Sequence, residues 1–457
     1  MSIANGVDGI PPARRVWAIF TMALAVTMTG LAMNMISVAL PSIAQELDAS
    51  PAQSIWIVSA YQLAMAVGLL PLASLGEIYG YRRVYLSGLL VFTLSSAALA
   101  FSDSILSASL LRAVQGLGAA GVLSVNIAIV RFVYPMKQLG RGIGINAVVA
   151  AVSATAGPSV APLILKLAGW QGLFSINVPF GIFAVLVGLY AIPHTPRHTR
   201  RYDFGAALRS ALVIGLLLSA ANGYAHQQAA VVLLPQLIAG VLIGIWHVRN
   251  ERRKAHPLWP VDLFRIPVFR LSVLVSVLSF CAQMQAFIVL PFALALVAHY
   301  DVALIGLVMT PWPALTIVAS IFAARLADAY SPAVVGFIGL LMLAAGLASL
   351  CLIDAHSDPY SIALRMALCG AGFGLFQSPN NRVLISSAPP GRSGTASGTL
   401  GTARLIGQSL GSVVAILMLV NFNGASGATT ALLIGATMAV AAAAISISRR
   451  QRTLVSA

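Results

Sequence analysis

The chain has 457 residues, of which 59% are hydrophobic and only 9% charged, and its mean hydropathy is +0.91. A soluble domain carries roughly 25% charged residues, so this composition excludes a water-facing globule and makes lipid the solvent. The net charge of +15 does not mark a nucleic-acid binder, because the basic residues sit in the short polar gaps between apolar runs and fall in every second gap.

Read in chain order, the apolar runs predict fourteen helices, at 16–40, 51–74, 84–102, 105–132, 140–164, 172–193, 204–223, 230–248, 268–298, 303–324, 332–352, 360–386, 394–421 and 427–447. Each is long enough to cross a hydrocarbon core, which takes roughly 20 helical residues. Strands of a closed barrel would be about half that length and would alternate in polarity. The first run is too long for the apolar core of a signal peptide and more spans follow it, so it is expected to be retained.

Arg14 and Arg15 precede the first run, and Arg82 and Arg83 follow the second. Arg131, Lys137 and Arg141 follow the fourth, and Arg197, Arg200 and Arg201 the sixth. Arg249, Arg252, Arg253 and Lys254 form a later cluster, Arg382 and Arg392 another, and Arg449, Arg450 and Arg452 stand at the end. The intervening gaps hold Glu46, Asp48, Asp103, Asp301, Asp354 and Asp358, with Lys166 as the basic exception. This is the positive-inside pattern, which puts both termini in the cytoplasm and requires an even number of spans. Cys281, Cys351 and Cys369 lie in apolar runs, with neither metal spacing nor a disulfide framework.

An internal repeat is visible. Gly76-Glu77-Ile78-Tyr79-Gly80 is echoed by Ala327-Asp328-Ala329-Tyr330-Ser331, and Leu111-Arg112 before Gly116-Leu117-Gly118 is echoed by Leu364-Arg365 before Gly370-Ala371-Gly372. The expected fold is therefore an all-α integral membrane protein: a six-helix bundle over 1–193, two inserted helices with flanking cytoplasmic segments over 194–266, and a second bundle over 267–457. Parallel halves of this kind are a transporter architecture with the substrate site near the midplane.

Four features carry chemistry. Arg112 lies inside the fourth run; a charge within a span is a functional site by default, the alternative being an arginine near the helix end that snorkels to the headgroups. Gly116–Gly121 satisfies G-x-G-x-x-G, but with no strand and no soluble βαβ unit around it the dinucleotide reading fails, and close helix packing takes its place. Gly144, Ser153, Gly157, Pro158 and Ala161 put small residues and a bend on the fifth helix, which suits either a gating interface or ordinary packing. Gly76, Glu77, Gly80, Arg82 and Arg83 make a very short corner, either a latch or a tight turn with topogenic charge. Ala32, Asn34, Gln62, Asn126, Asn146, Gln283 and Gln377 are the candidate lining of a substrate cavity. No catalytic constellation, metal site or cofactor motif is present in the sequence.

These motifs resemble the fourteen-helix drug:proton antiporter family of the major facilitator superfamily, over nearly the whole chain. Gly76-Glu77…Gly80-Tyr81-Arg82-Arg83 resembles the superfamily's loop motif after helix two, with Glu for the usual Asp and Ile78 for the usual Arg. Arg112 with Gln115-Gly116 is similar to the helix-four motif, whose Arg the family ties to proton coupling. Gly144 and Gly157-Pro158 match the helix-five motif of antiporters, with Ser153 and Ala161-Pro162 replacing glycines. Further similarities run from Gly169-Trp170 to Asn177-Val178-Pro179, at Asp203-Phe204-Gly205, at Pro257-Leu258, from Gly394 to Gly398 and from Arg404 to Gly411. One departure stands out: the acid that the family usually carries before a run like Val38-Ala39-Leu40-Pro41 is Ala32 here, and no Asp or Glu falls in the middle of a predicted helix. The resemblance implies a multidrug-type efflux transporter of small organic or amphipathic molecules in a bacterial inner membrane, driven by protons through alternating access. The missing acid moves proton coupling to Glu77, Asp328 or a histidine, or makes it indirect. It also favours a neutral or anionic substrate, with Arg112 as a possible partner. The alternatives are an exporter of a specific neutral or anionic metabolite and a membrane sensor that does not transport. Expected partners are the small-molecule substrate, protons and the lipid bilayer; an envelope adaptor protein is left open.

Overall fold

The computed structural model describes residues 9–36, 39, 43, 45–48, 51–197, 201–225, 229–254, 257–300, 302–354, 356–389, 392–422 and 424–455. Among them there is no strand. The helices are α1 (Pro12–Asn34), α2 (Pro51–Tyr79), α3 (Tyr81–Leu99), α4 (Ile105–Val133), α5 (Leu139–Ser175), α6 (Asn177–Ala191), α7 (Phe204–Ala225), α8 (Ala230–Glu251), α9 (Pro267–Leu296), α10 (Val302–Met309), α11 (Pro311–Ala329), α12 (Pro332–Leu350), α13 (Pro359–Ser386), α14 (Ser393–Asn421) and α15 (Gly424–Val455). Helix is the only open-ended answer for runs this apolar, because every backbone group must be satisfied within its own segment in lipid. Proline opens α9, α11, α12 and α13, at a position where its missing N–H costs no hydrogen bond. The Ser104 side chain caps α4 through the Ser107 N–H, and Asp358 caps α13 through the Ser361 N–H.

Twelve stretches of the described residues are helical, long and apolar enough to cross a membrane, one of them joining the end of α5 to α6 (Leu163–Ala191) and one joining α10 to α11 (Leu304–Ala327). The helices expected at 84–102 and 140–164 are present as α3 and the first part of α5 but are not among the twelve. The boundaries differ from expectation for local reasons. The described part of α1 ends at Asn34, whose side-chain amide donates to the Gly30 carbonyl at 2.8 Å, and Met35 keeps helical dihedrals with its N–H on the Leu31 carbonyl; the end of the expected run, at 37, 38 and 40, lies outside the described residues. α3 starts at Tyr81 because Gly80, at φ 96°, turns the corner alone, so Arg82 and Arg83 belong to the first helical turn and not to a loop. α5 breaks at Ala168 and Gly169, where Gly169 has φ 63°, and the span expected at 303–324 is divided at Thr310 into α10 and α11.

Two compact units can be distinguished. The first holds Met1–Gly215 with Pro390–Gly401, and the second Leu216–Pro389 with Thr402–Ala457. Inside the first, α2 and α3 both pack on α4, and α6 packs on α1 and α3. Inside the second, α11 and α12 both pack on α13, and α15 packs on α9 and α12. The glycines of the sequence repeat sit at equivalent crossings. Gly116 abuts the Tyr61 carbonyl and Gly370 the Trp312 carbonyl, each too close for a Cβ. A Cβ at Gly118 would lie 2.9 Å from the Gly88 carbonyl oxygen, and one at Gly372 would lie 2.5 Å from that of Gly339. The first unit has a core around Ile36, Ile57, Trp170 and Phe174, and the second a larger one around Trp312, Leu343, Phe373 and Phe376.

Candidate functional site

The α2–α3 corner does more than turn the chain. Glu77, in the last turn of α2, is 2% exposed. Its Oε1 accepts from both the backbone N–H and the hydroxyl of Thr395 at 2.6 Å, and its Oε2 faces Arg392 Nη1 at 3.4 Å. Thr395 lies in the first turn of α14, where backbone N–H groups have no intrahelical acceptor and the helix dipole favours a negative partner. The Gly394 N–H donates to the Tyr81 hydroxyl at 3.2 Å, and Arg131 of α4 donates to Ser393 Oγ. α14 comes this near because it has no side chain there: a Cβ at Gly394 would sit 2.7 Å from Tyr81 Cε1, and one at Gly398 would sit 2.7 Å from Ala73 Cβ. Hydrogen bonds to a buried carboxylate contribute about 1.5–3 kcal/mol each, so this corner and the start of α14 are held as one body within the first unit. Arg82 fastens the other side, with Nη1 2.6 Å from His194 Nε2 and Nη2 donating to the Leu189 carbonyl. The Arg82 charge holds the His194 imidazole below its ordinary range, so it stays neutral near pH 7. Arg83 points outward.

Arg112 is fully buried. Its Nε donates to the Ile57 carbonyl at 3.0 Å and its Nη1 to Gln115 Oε1 at 2.6 Å; Gln115 Nε2 passes the chain on to Ser96 Oγ at 2.7 Å. The guanidinium carbon lies 4.1 Å from the Tyr61 ring centroid and 5.8 Å from that of Phe174. Among the described residues no carboxylate is bonded to it and Nη2 has no partner. Carbonyl dipoles and ring faces compensate the charge in place of an acid. The equivalent arginine of the second unit, Arg365, is half-buried and donates from Nη1 to the Ser349 carbonyl at 2.8 Å.

On α5, the small residues meet α1. A Cβ at Gly30 would lie 2.7 Å from Ser153 Cβ, and one at Gly157 would lie 2.9 Å from Asn34 Cβ and 3.3 Å from the Met35 nitrogen. Gly144 is buried; the side chains of Pro158 and Asp328 lie outside the described residues. Of the candidate lining, Asn126 Nδ2 of α4 bonds Asn146 Oδ1 of α5 at 2.5 Å. Ala32 and Gln377 are buried, and Asn34, Gln62 and Gln283 half-buried.

Three charged groups have uses that counting topogenic charge does not reveal. Arg449 of α15 is 2% exposed and joins three helices: Nη1 donates to Ser272 Oγ and Asn380 Oδ1 at 2.7 Å, and Nη2 to Ser446 Oγ at 2.6 Å. Glu251 is fully buried at the end of α8, where it accepts from Lys254 and from the Leu258 N–H. Arg404 stands well inside the apolar span Ser393–Leu419; a charge in mid-run was the one signal that could have singled it out.

The sequence model of the Major Facilitator Superfamily matches residues 22–412. The chain is 46% identical over 443 residues to the uncharacterized transporter YebQ of Escherichia coli K12, covering 96% of each. It is 30% identical over 408 residues to the multidrug resistance protein Stp of Mycobacterium tuberculosis, covering 86% of this chain and 75% of that one. Its fold is similar to the crystal structure of the human organic anion transporter MFSD10, with TM-score 0.70 and 17% identity over 96% of this chain and 100% of that one. The family-model match over residues 22–412, with which the all-helical fold agrees, settles the kinship: the chain belongs to the Major Facilitator Superfamily of membrane transporters.

Proposed function

We propose that this transporter is a proton-coupled exporter of small organic or amphipathic molecules, working by alternating access in a bacterial cytoplasmic membrane with both termini in the cytoplasm. The observation that carries this reading is the α1–α5 contact. Gly30 with Ser153, and Gly157 with Asn34 and Met35, bring the two helices within reach of a single side chain, at the residues that resemble the antiporter motif. Small residues on both faces let two helices close tightly and part without unlocking interdigitated side chains. The kinship with a multidrug resistance protein supports this reading. The Glu77–Thr395 contact keeps the start of α14 on the α2–α3 corner within the first unit, at the end that the charge pattern assigns to the cytoplasm.

A second reading, export of one neutral or anionic metabolite, is favoured by the acids. The chain has twelve Asp and Glu, and those within the apolar spans, Glu77 and Glu251, stand at or near span ends. Recognition of a cation in mid-membrane normally calls for a buried acid. The test is proton release. Purified protein in liposomes loaded with a pH dye is challenged with a panel of amphipathic cations, neutrals and anions. Substrate-dependent proton flux with one or several compounds is expected, and transport with no proton movement overturns the coupling.

A further inference from the structure

Arg404 differs from the other enclosed arginines. Arg112 and Arg449 are each hydrogen-bonded to at least two groups, and Arg392 faces Glu77. Arg404 is half-buried within a membrane-spanning helix. Among the described residues it makes no hydrogen bond and no ion pair, and its Nε lacks an acceptor. Its one contact of note is a ring: the guanidinium carbon lies 5.0 Å from the Phe280 centroid.

The sequence puts it there. Arg404, Gly407, Gln408 and Gly411 fall at i, i+3, i+4 and i+7, one face of α14. The two glycines press that face onto α9: a Cβ at Gly407 would lie 2.6 Å from the Val277 carbonyl oxygen and 2.9 Å from Phe280 Cβ, and Gly411 abuts the Cys281 carbonyl. The two polar side chains therefore flank a close helix contact inside the second unit. Gln408 Oε1 also has no partner. Phe280 is held in place by an edge-on contact with Phe373 at 5.2 Å.

The buried Nε of Arg404 lacks an acceptor, which is costly and calls for a function, while the residue is half-buried, so its fork is open to a partner. Its planar fork matches a carboxylate through two parallel hydrogen bonds. The Gln408 amide supplies a further donor, and the Phe280 ring beside the guanidinium supplies an aromatic contact. We propose that Arg404, Gln408 and Phe280 form the subsite for the carboxylate end of an amphipathic organic anion carried by this transporter. The assignment rests on the export reading and names its substrate class.

The test uses one body with three charges: 1-pyrenebutyrate, 1-pyrenebutanol and 1-pyrenebutyltrimethylammonium. Each is equilibrated with the full-length protein in lipid nanodiscs, with empty nanodiscs subtracted. Wild type is expected to bind the carboxylate at least about tenfold tighter than the alcohol. Arg404→Gln should abolish that preference while leaving alcohol affinity within about twofold, and Arg404→Lys should keep part of it. Gln408→Leu should lower carboxylate affinity severalfold and spare the alcohol. Equal binding of the three probes by wild type, preference for the cation, no carboxylate binding, or an anion preference that survives Arg404→Gln each overturns the subsite. Transport of the same probes in proteoliposomes separates the two claims. Charge-blind binding with proton-coupled transport intact removes the carboxylate subsite and leaves the export reading. Anion-selective binding without transport does the reverse.

Discussion

Four arginines that look alike in composition are used in four ways. Arg392 faces an acid, Arg449 is surrounded by hydroxyl and amide oxygens, Arg112 lies between a carbonyl, a glutamine and two rings, and Arg404 rests on one ring. For Arg112 the geometry makes a definite forecast. Removal leaves the Ile57 carbonyl and Gln115 without their donor, and an ammonium is a point charge that cannot reproduce a planar fork. Arg112→Ala is expected to abolish transport and Arg112→Lys to retain about a tenth of it, a loss of about 1.4 kcal/mol; initial rates in proteoliposomes at equal reconstitution check this, and full activity of the Ala variant would sink it. Ala32 is the converse case. It is buried, and a carboxyl introduced there would attract cations and take up a proton. Ala32→Asp is expected to raise export of the organic cation rhodamine 6G severalfold over wild type; an unchanged rate would mean that the missing acid is not what limits cation handling.

Among the elements, glycine decides which helices meet. α4 accepts α2 at Gly116 and α3 at Gly118, and α13 accepts α11 at Gly370 and α12 at Gly372. The α1–α5 contact is built from Gly30, Asn34, Ser153 and Gly157, small or short side chains on both helices, which suits a surface that must open. Gly157→Leu should wedge it: insertion and folding are retained because the leucine can point into the gap it makes, whereas transport falls below about a tenth of wild type. The check is the transport rate beside the gel-filtration profile of the same variant, and wild-type transport would reduce the motif to packing. Gly398→Leu should act by another route, pushing the start of α14 off α2 and parting Thr395 from Glu77.

At the scale of the whole molecule, the charge pattern sets orientation. Single cysteines placed near Asp48, Asp103 and Asp354 are expected to react with an impermeant thiol reagent added outside intact cells, and those near Arg83, Arg200 and Arg253 to be protected. Labelling of the second set from outside would overturn the even-span topology. The same pattern explains why the residue-level uses of arginine were hard to read. Counting charges places a helix end on one side of the membrane, but it does not say which way that helix is rotated. Arg449 and its neighbours Arg450 and Arg452 are indistinguishable by that count, yet Arg449 is turned into the second unit.

The sequence by itself determined the solvent, the helical class, the approximate spans, the repeat and the family resemblance. Each of these depends on composition or on spacing within a few turns of chain, and lipid punishes any exception. It also pointed to Gly116, Gly157 and Glu77, because small residues and buried acids are informative wherever they fall. Only the tertiary structure decided their partners. Glu77 meets Thr395 from 318 residues away, a distance over which no periodicity carries register. Arg404 was legible as a charge in an apolar run, but its want of an acceptor was not. Whether a buried donor is satisfied depends on what the neighbouring helix presents, and that is fixed by how Gly407 and Gly411 let α14 settle on α9.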